Sequence, residues 1–109
     1  MLFRSSDYRL KENIQPLQAA AQAVQLLNPV TFNYIGHNDE HVSGFIAHEL
    51  QSVIPEAVTG EKDGMNKDGT PNYQGVDQSK LVPLLTAALQ ETITELQALK
   101  AEVAALKGA

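Results

Sequence analysis

LVPLLTAALQETITELQALKAEVAAL, Leu81–Leu106, sets the architecture expected of this chain. Val82, Leu89, Leu96 and Val103 share one heptad position. Leu85, Thr92, Leu99 and Leu106 share the other, and only Thr92 is polar. The spacing alternates three and four over more than three heptads, the pattern of a coiled coil. Glu91, Glu95, Lys100 and Glu102 fall off the seam, on the expected wet face. The plainer alternative is one amphipathic helix packed on its own domain. Leu81, Leu84 and Ala88 widen the apolar stripe, so Leu81–Leu89 is expected to pack that way. Beyond Ile93 few other elements remain to cover the seam, which favours oligomerisation. Leu at both positions with one Val pair does not separate a dimer from a trimer.

Working back from this helix, Asp77 or Ser79 can cap it, and Pro83 is tolerable near its first turn. Gly108 ends it. Asn72–Val76 can pair with a strand over Glu56–Gly60, around a loop holding the turn signals Asp63-Gly64 and Asp68-Gly69. Ala47–Ile54 reads as a short helix stopped by Pro55. Val30–Ile35 alternates with period two and, after the polar turn Gly36–His41, Val42–Ile46 returns as a second strand. Gly44 inside that strand suggests a bulge or a close backbone approach. Leu17, Ala20, Ala21, Val24 and Leu27 recur at helical spacing, with Pro16 in the first turn and Asn28-Pro29 as the stop. Residues 1 to 14 read as extended. The fold class is therefore α+β: a small antiparallel sheet or hairpins, short helices and a long C-terminal helix.

The chain has 109 residues, enough for one domain, and 43% are hydrophobic. With no tryptophan, three tyrosines and three phenylalanines, the core must be mostly aliphatic. The net charge of −5 and the scattered bases argue against a nucleic-acid partner. There is no cysteine, so disulfides and thiolate metal sites are excluded. No apolar run approaches the ~20 residues needed to span a bilayer, and no membrane partner is expected.

Candidate chemistry is sparse. Ser6 and Lys11 could form a serine–lysine dyad, because a serine hydroxyl needs a base to become a nucleophile. A lysine serves as that base only when burial or neighbours make it less basic. Five residues of separation place two side chains on one face of neither a helix nor a strand, so the chain would have to bend between them. Taken alone, the pair reads as solvated. His48 reads as a helix-start residue that could orient a base or hold a carbonyl. His37, His41 and His48, at loop spacings and without cysteine, give too weak a signal for a metal to be expected, and Gly60, Gly64 and Gly69 fall among acids that repel phosphate. No cofactor is expected.

Ser5-Ser6-Asp7-Tyr8-Arg9-Leu10-Lys11-Glu12-Asn13-Ile14 resembles the start of the phage tail-spike and tail-fibre intramolecular chaperone family. These are the self-cleaving C-terminal domains of endosialidases, tail fibres and neck appendages. Val30–Tyr34 looks like the family's first strand. Gly44–Leu50 and Ile54–Val58 look like its central signature. Val76-Asp77 through Leu81–Leu85 and Ala88–Glu91 look like its C-terminal helix.

The resemblance implies a homotrimer that brings three chains of a fibre precursor into register, so that a β-rich upstream stalk can nucleate. It also implies a single-turnover serine endopeptidase that then releases itself. Ser6 would be the nucleophile, attacking the carbonyl of Ser5 and becoming the first residue of the released fragment. Lys11 would be the general base and His48 a supporting group. Asp7, Arg9 and Glu49 would steady these residues, and Leu85, Leu89, Leu96, Leu99, Val103 and Leu106 would carry oligomerisation. Residues 1–5 would be the remnant of the stalk, 6–109 the autoprocessing domain and 81–107 its coiled-coil helix. The setting would be host cytoplasm during virion assembly, with release from the mature fibre after cleavage. Only five residues precede Ser6, and cleavage in the family is coupled to stalk assembly. The chain by itself is therefore expected to be uncut, and either inactive or a chaperone isolated near its natural boundary. Two alternatives share the assembly: a trimeric cap that never cuts, and the same autoprocessing domain in a non-phage setting such as a membrane-anchored transcription factor.

Overall fold

The computed structural model describes residues 5–108. Except for Ser5, the expected stalk remnant lies outside them. In chain order the elements are a 3₁₀ turn Tyr8–Leu10, α1 (Ala20–Gln25), β1 (Val30–Phe32), β2 (Val42–Gly44), α2 (Ala47–Gln51), a 3₁₀ turn Pro55–Ala57, β3 (Val58–Thr59), β4 (Gly75–Val76), a 3₁₀ turn Gln78–Leu81 and α3 (Val82–Lys107). This is the expected α+β class.

β1 and β2 form an antiparallel hairpin in the register Val30↔Gly44, Thr31↔Ser43, Phe32↔Val42. Both strands are shorter than their alternating patterns. Gly44 lies in a regular register and answers a close approach: a Cβ placed there would sit 3.2 Å from Phe32 Cε1. Tyr34 stands edge-on to the same ring, centroids 5.3 Å apart. β3 and β4 pair as Val58↔Val76 and Thr59↔Gly75. The expected strand from Glu56 loses its first two residues to the Pro55–Ala57 turn, because proline favours a turn and has no N–H for a ladder. The loop between β3 and β4 folds back on itself through Asn72 N–H to the Gly64 carbonyl and Asn66 N–H to the Thr70 carbonyl, both 2.8 Å.

The core is small and aliphatic. Ala20, Leu50, Ile54, Ala57, Leu81, Leu84 and Ala88 are buried, with Val24, Leu27, Phe45, Val53, Val58 and Val76 packed around them. α1 lies against α3, and α2 with the Pro55–Ala57 turn closes the other side. Asp77 caps the turn into α3, its carboxylate accepting from Ser79 N–H at 3.1 Å and Ser79 Oγ–H at 2.6 Å. These bonds hold its carboxyl below the usual carboxylate range.

Two expectations about helices need correction. α1 begins at Ala20, so Pro16 lies outside it. Ala19 adopts left-handed backbone (φ 56°) and offers no side-chain cap. The helix starts instead where a carboxylate from elsewhere meets its first N–H groups: Glu91 Oε2 accepts from Ala20 at 2.9 Å and Oε1 from Ala21 at 3.0 Å. Glu91 is thus half-buried against α1, not on the wet face.

Candidate functional site

The N-terminal segment is organised by one local device. Asp7 precedes the Tyr8–Leu10 turn and accepts from Arg9 N–H at 2.9 Å. The Arg9 guanidinium returns to the same carboxylate through Nε (2.9 Å) and Nη2 (2.8 Å). This planar fork holds the Asp7 carboxyl below its usual range, since every hydrogen bond it accepts favours the ionised form. Asp7 N–H also donates to Ser5 Oγ at 3.2 Å. The turn closes with Leu10 N–H to the Asp7 carbonyl and Lys11 N–H to the Tyr8 carbonyl, each 3.1 Å.

The chain therefore does bend between Ser6 and Lys11. A residue pair that neither helix nor strand would align is separated by a single tight turn, after which Lys11 is extended (φ −120°, ψ 144°). Ser6 and Lys11 are both exposed. Among the described residues, no side-chain hydrogen bond joins Ser6, Lys11 or His48 to one another. Tyr8, Leu10 and Ile14 are 78%, 60% and 71% exposed, so this segment carries apolar side chains with nothing over them in a single chain.

His48 lies in α2, exposed, on the wall of an open cavity of about 420 Å³ shared with Met65, Pro71 and Tyr73. Glu49 is engaged elsewhere: its Oε1 accepts from Asn28 Nδ2 at 3.1 Å, tying α2 to the α1–β1 connection. Among the expected supporting groups, Asp7 and Arg9 thus act together beside Ser5, while Glu49 braces the fold.

Along α3, Leu85, Leu89, Leu96, Leu99, Val103 and Leu106 form one exposed stripe, and every residue from Thr92 to Gly108 is exposed. Thr92, the polar member of the seam, donates its hydroxyl to the Ala88 carbonyl at 2.8 Å. A partner surface over Thr92 would therefore meet a satisfied hydroxyl and a methyl group.

Sequence reading missed Glu91 as a structural residue. The available signal was its place: it continues the buried stripe Leu81, Leu84, Ala88, where a carboxylate needs a donor.

Residues 6–59, about half of the chain, match the family described as chaperone of endosialidase. Two curated relatives are the long tail fiber protein Gp37 of Enterobacteria phage K3 and that of Enterobacteria phage T2. Each is 42% identical over 62 residues, which cover 53% of this chain. The aligned part is about 5% of either relative's length. Through this match the chain belongs to the endosialidase-chaperone family.

Proposed function

We propose that this chain is the intramolecular chaperone of a phage tail-fibre or tail-spike precursor, which it trimerises through α3 and then leaves by cutting Ser5–Ser6. One observation carries the reading: the family match begins at Ser6, the residue proposed to head the released fragment. The likeness to tail fiber proteins of phages K3 and T2 supports the fibre setting.

The chemistry needs little beyond this chain and water. Ser6 Oγ attacks the Ser5 carbonyl carbon while Lys11 Nζ, neutral at that moment, takes the hydroxyl proton. The C–N bond breaks, Lys11 returns the proton to the departing nitrogen, and an ester joins Ser5 to Ser6 Oγ. Water then hydrolyses the ester, leaving a Ser5 carboxylate and a free Ser6 amine. The fork between Asp7 and Arg9 steadies the backbone next to this bond; a role for His48 requires that assembly bring α2 to it, since in one chain, among the described residues, His48 bonds to neither Ser6 nor Lys11.

In one chain Ser6 and Lys11 face water. Desolvation is what makes a lysine an effective base, so assembly must supply the cover. That couples cutting to trimerisation: an unassembled precursor keeps its chaperone, and an assembled one sheds it. Release then removes the element that would also help the stalk unfold, leaving the fibre kinetically trapped.

The test uses the precursor with its upstream stalk, as wild type, Ser6→Ala and Lys11→Ala. Intact masses and the N-terminus of the small fragment are measured. The expected result is a fragment starting at Ser6 in the wild type, absent from both variants, with trimers in all three. Uncut trimers throughout would leave a structural cap and remove the peptidase.

A further inference from the structure

Glu91 joins the two ends of the chain. Its two carboxylate oxygens accept from Ala20 and Ala21, residues 71 and 70 positions away. Among the described residues, nothing before Asn28 makes any other hydrogen bond to a distant part of the chain. Leu17 lies over the same stretch of α3, bordering a groove with Ala87, Gln90, Glu91, Thr94 and Glu95. The opposite side of that stretch carries Leu89 and Ile93, 60% and 44% exposed, on the stripe that would meet other chains.

We propose that Glu91 is a positioning residue for cleavage, pinning the N-terminal segment to the turn of α3 that enters the assembly. The inference rests on the self-cleavage reading above. Eight residues, Glu12 to Ala19, separate Lys11 from the pin. Fully extended, the nine steps from Lys11 to Ala20 reach at most ~32 Å, which bounds where Lys11 can lie relative to the assembled helices. Without the pin, α1 is held only by its packing on α3, and the next hydrogen-bonded anchor along the chain is Asn28 on Glu49, which lengthens the tether from eight residues to sixteen. A longer tether lowers the effective concentration of its end, roughly as the −3/2 power of its length. Freed N–H groups at Ala20 and Ala21 would also fray α1.

The experiment compares wild type, Glu91→Ala, Glu91→Gln and Ser6→Ala in the stalk-bearing precursor. Sedimentation reads assembly, a mass time course reads the cleavage rate constant, and amide exchange reads Ala20 and Ala21. Glu91→Ala should assemble, exchange faster at both amides and cleave about threefold more slowly, the factor that the −3/2 power gives for a doubled tether. Glu91→Gln keeps one acceptor oxygen at the same reach and should recover part of the rate. Wild-type cleavage in Glu91→Ala, or a Gln variant no better than Ala, overturns the proposal. If Glu91→Ala does not assemble, Glu91→Gln decides: assembled and slower than wild type supports the role, assembled and equal overturns it. A fragment from Ser6→Ala would instead sink the self-cleavage reading itself, and the positioning role with it. A null result at Glu91 leaves that reading standing.

Discussion

Asp7 and Arg9 show how far single residues could be read. The resemblance offered them as supporting groups, but the i, i+2 fork around a 3₁₀ turn has neither helical nor strand period, so the bend between Ser6 and Lys11 could be required but not drawn. The fork has a pH signature. A carboxyl held below its usual range contributes order that is fully present above the unfolded value, near pH 4, and lost as pH falls through the lowered folded value. The Arg9 amide and guanidinium resonances should therefore stay fixed from about pH 8 to 5 and move only below about pH 4. A transition near neutrality would mean that the fork is not what orders the turn. Gly44 is the second case. Its place in a strand suggested either a bulge or a close approach, and the Phe32 ring decides for the latter. Gly44→Val would push the ring off and should cost about 1–3 kcal/mol, read as a lowered thermal midpoint with Thr31→Val as the neutral control. An unchanged midpoint would mean that Phe32 has room to move.

At the scale of elements, legibility followed periodicity. α3 was readable because a 3–4 apolar repeat sustained over several heptads is the signature of an amphipathic helix. The hairpin around Asp63-Gly64 and Asp68-Gly69 was readable because those dipeptides favour turns. α1 was misplaced at its start because its cap comes from Glu91, 71 residues away, and nothing near Pro16 announces that. The strands came out short for a related reason: among the described residues each ladder has two strands and no third to extend it, and alternation alone does not count partners. The seam makes its own prediction. A Leu side chain gains about 1.5–3 kcal/mol on full burial, and Leu96 and Leu99 are 49% and 55% exposed on a helix whose residues are all exposed from Thr92 onward. Leu96→Asp should abolish oligomers at micromolar concentration, because one buried charge per chain outweighs the gain from its neighbours. Lys100→Ala, off the seam, should leave them intact. Helix content and sedimentation distinguish the two, and an unaffected Leu96→Asp oligomer would place the interface elsewhere.

The whole molecule exposes far more surface than its mass requires. A compact chain of 11.8 kDa presents about 5,900 Å², whereas this one presents 9356 Å². Its radius of gyration is 19.7 Å, against about 13 Å for a compact domain of this length. α3 accounts for much of this, running about 39 Å at 1.5 Å per residue, and the uncovered N-terminal segment adds to it. Few buried side chains hold such a shape: seven small or medium aliphatics form the core, none of them aromatic. A lone chain with that core sits near the margin of stability, and association by way of α3 would supply burial of the class found in obligate complexes. Folding and assembly should then be one transition. The thermal midpoint of the Ser6→Ala chain should rise with protein concentration, as mass action requires when only the assembled state is stable. In Leu96→Asp it should fall and lose its dependence on concentration. A wild-type-like midpoint that ignores concentration would mean that the small core suffices by itself. The exposed seam would then be a surface for some other partner, and cover for Ser6 and Lys11 would have to come from the stalk instead of sister chains.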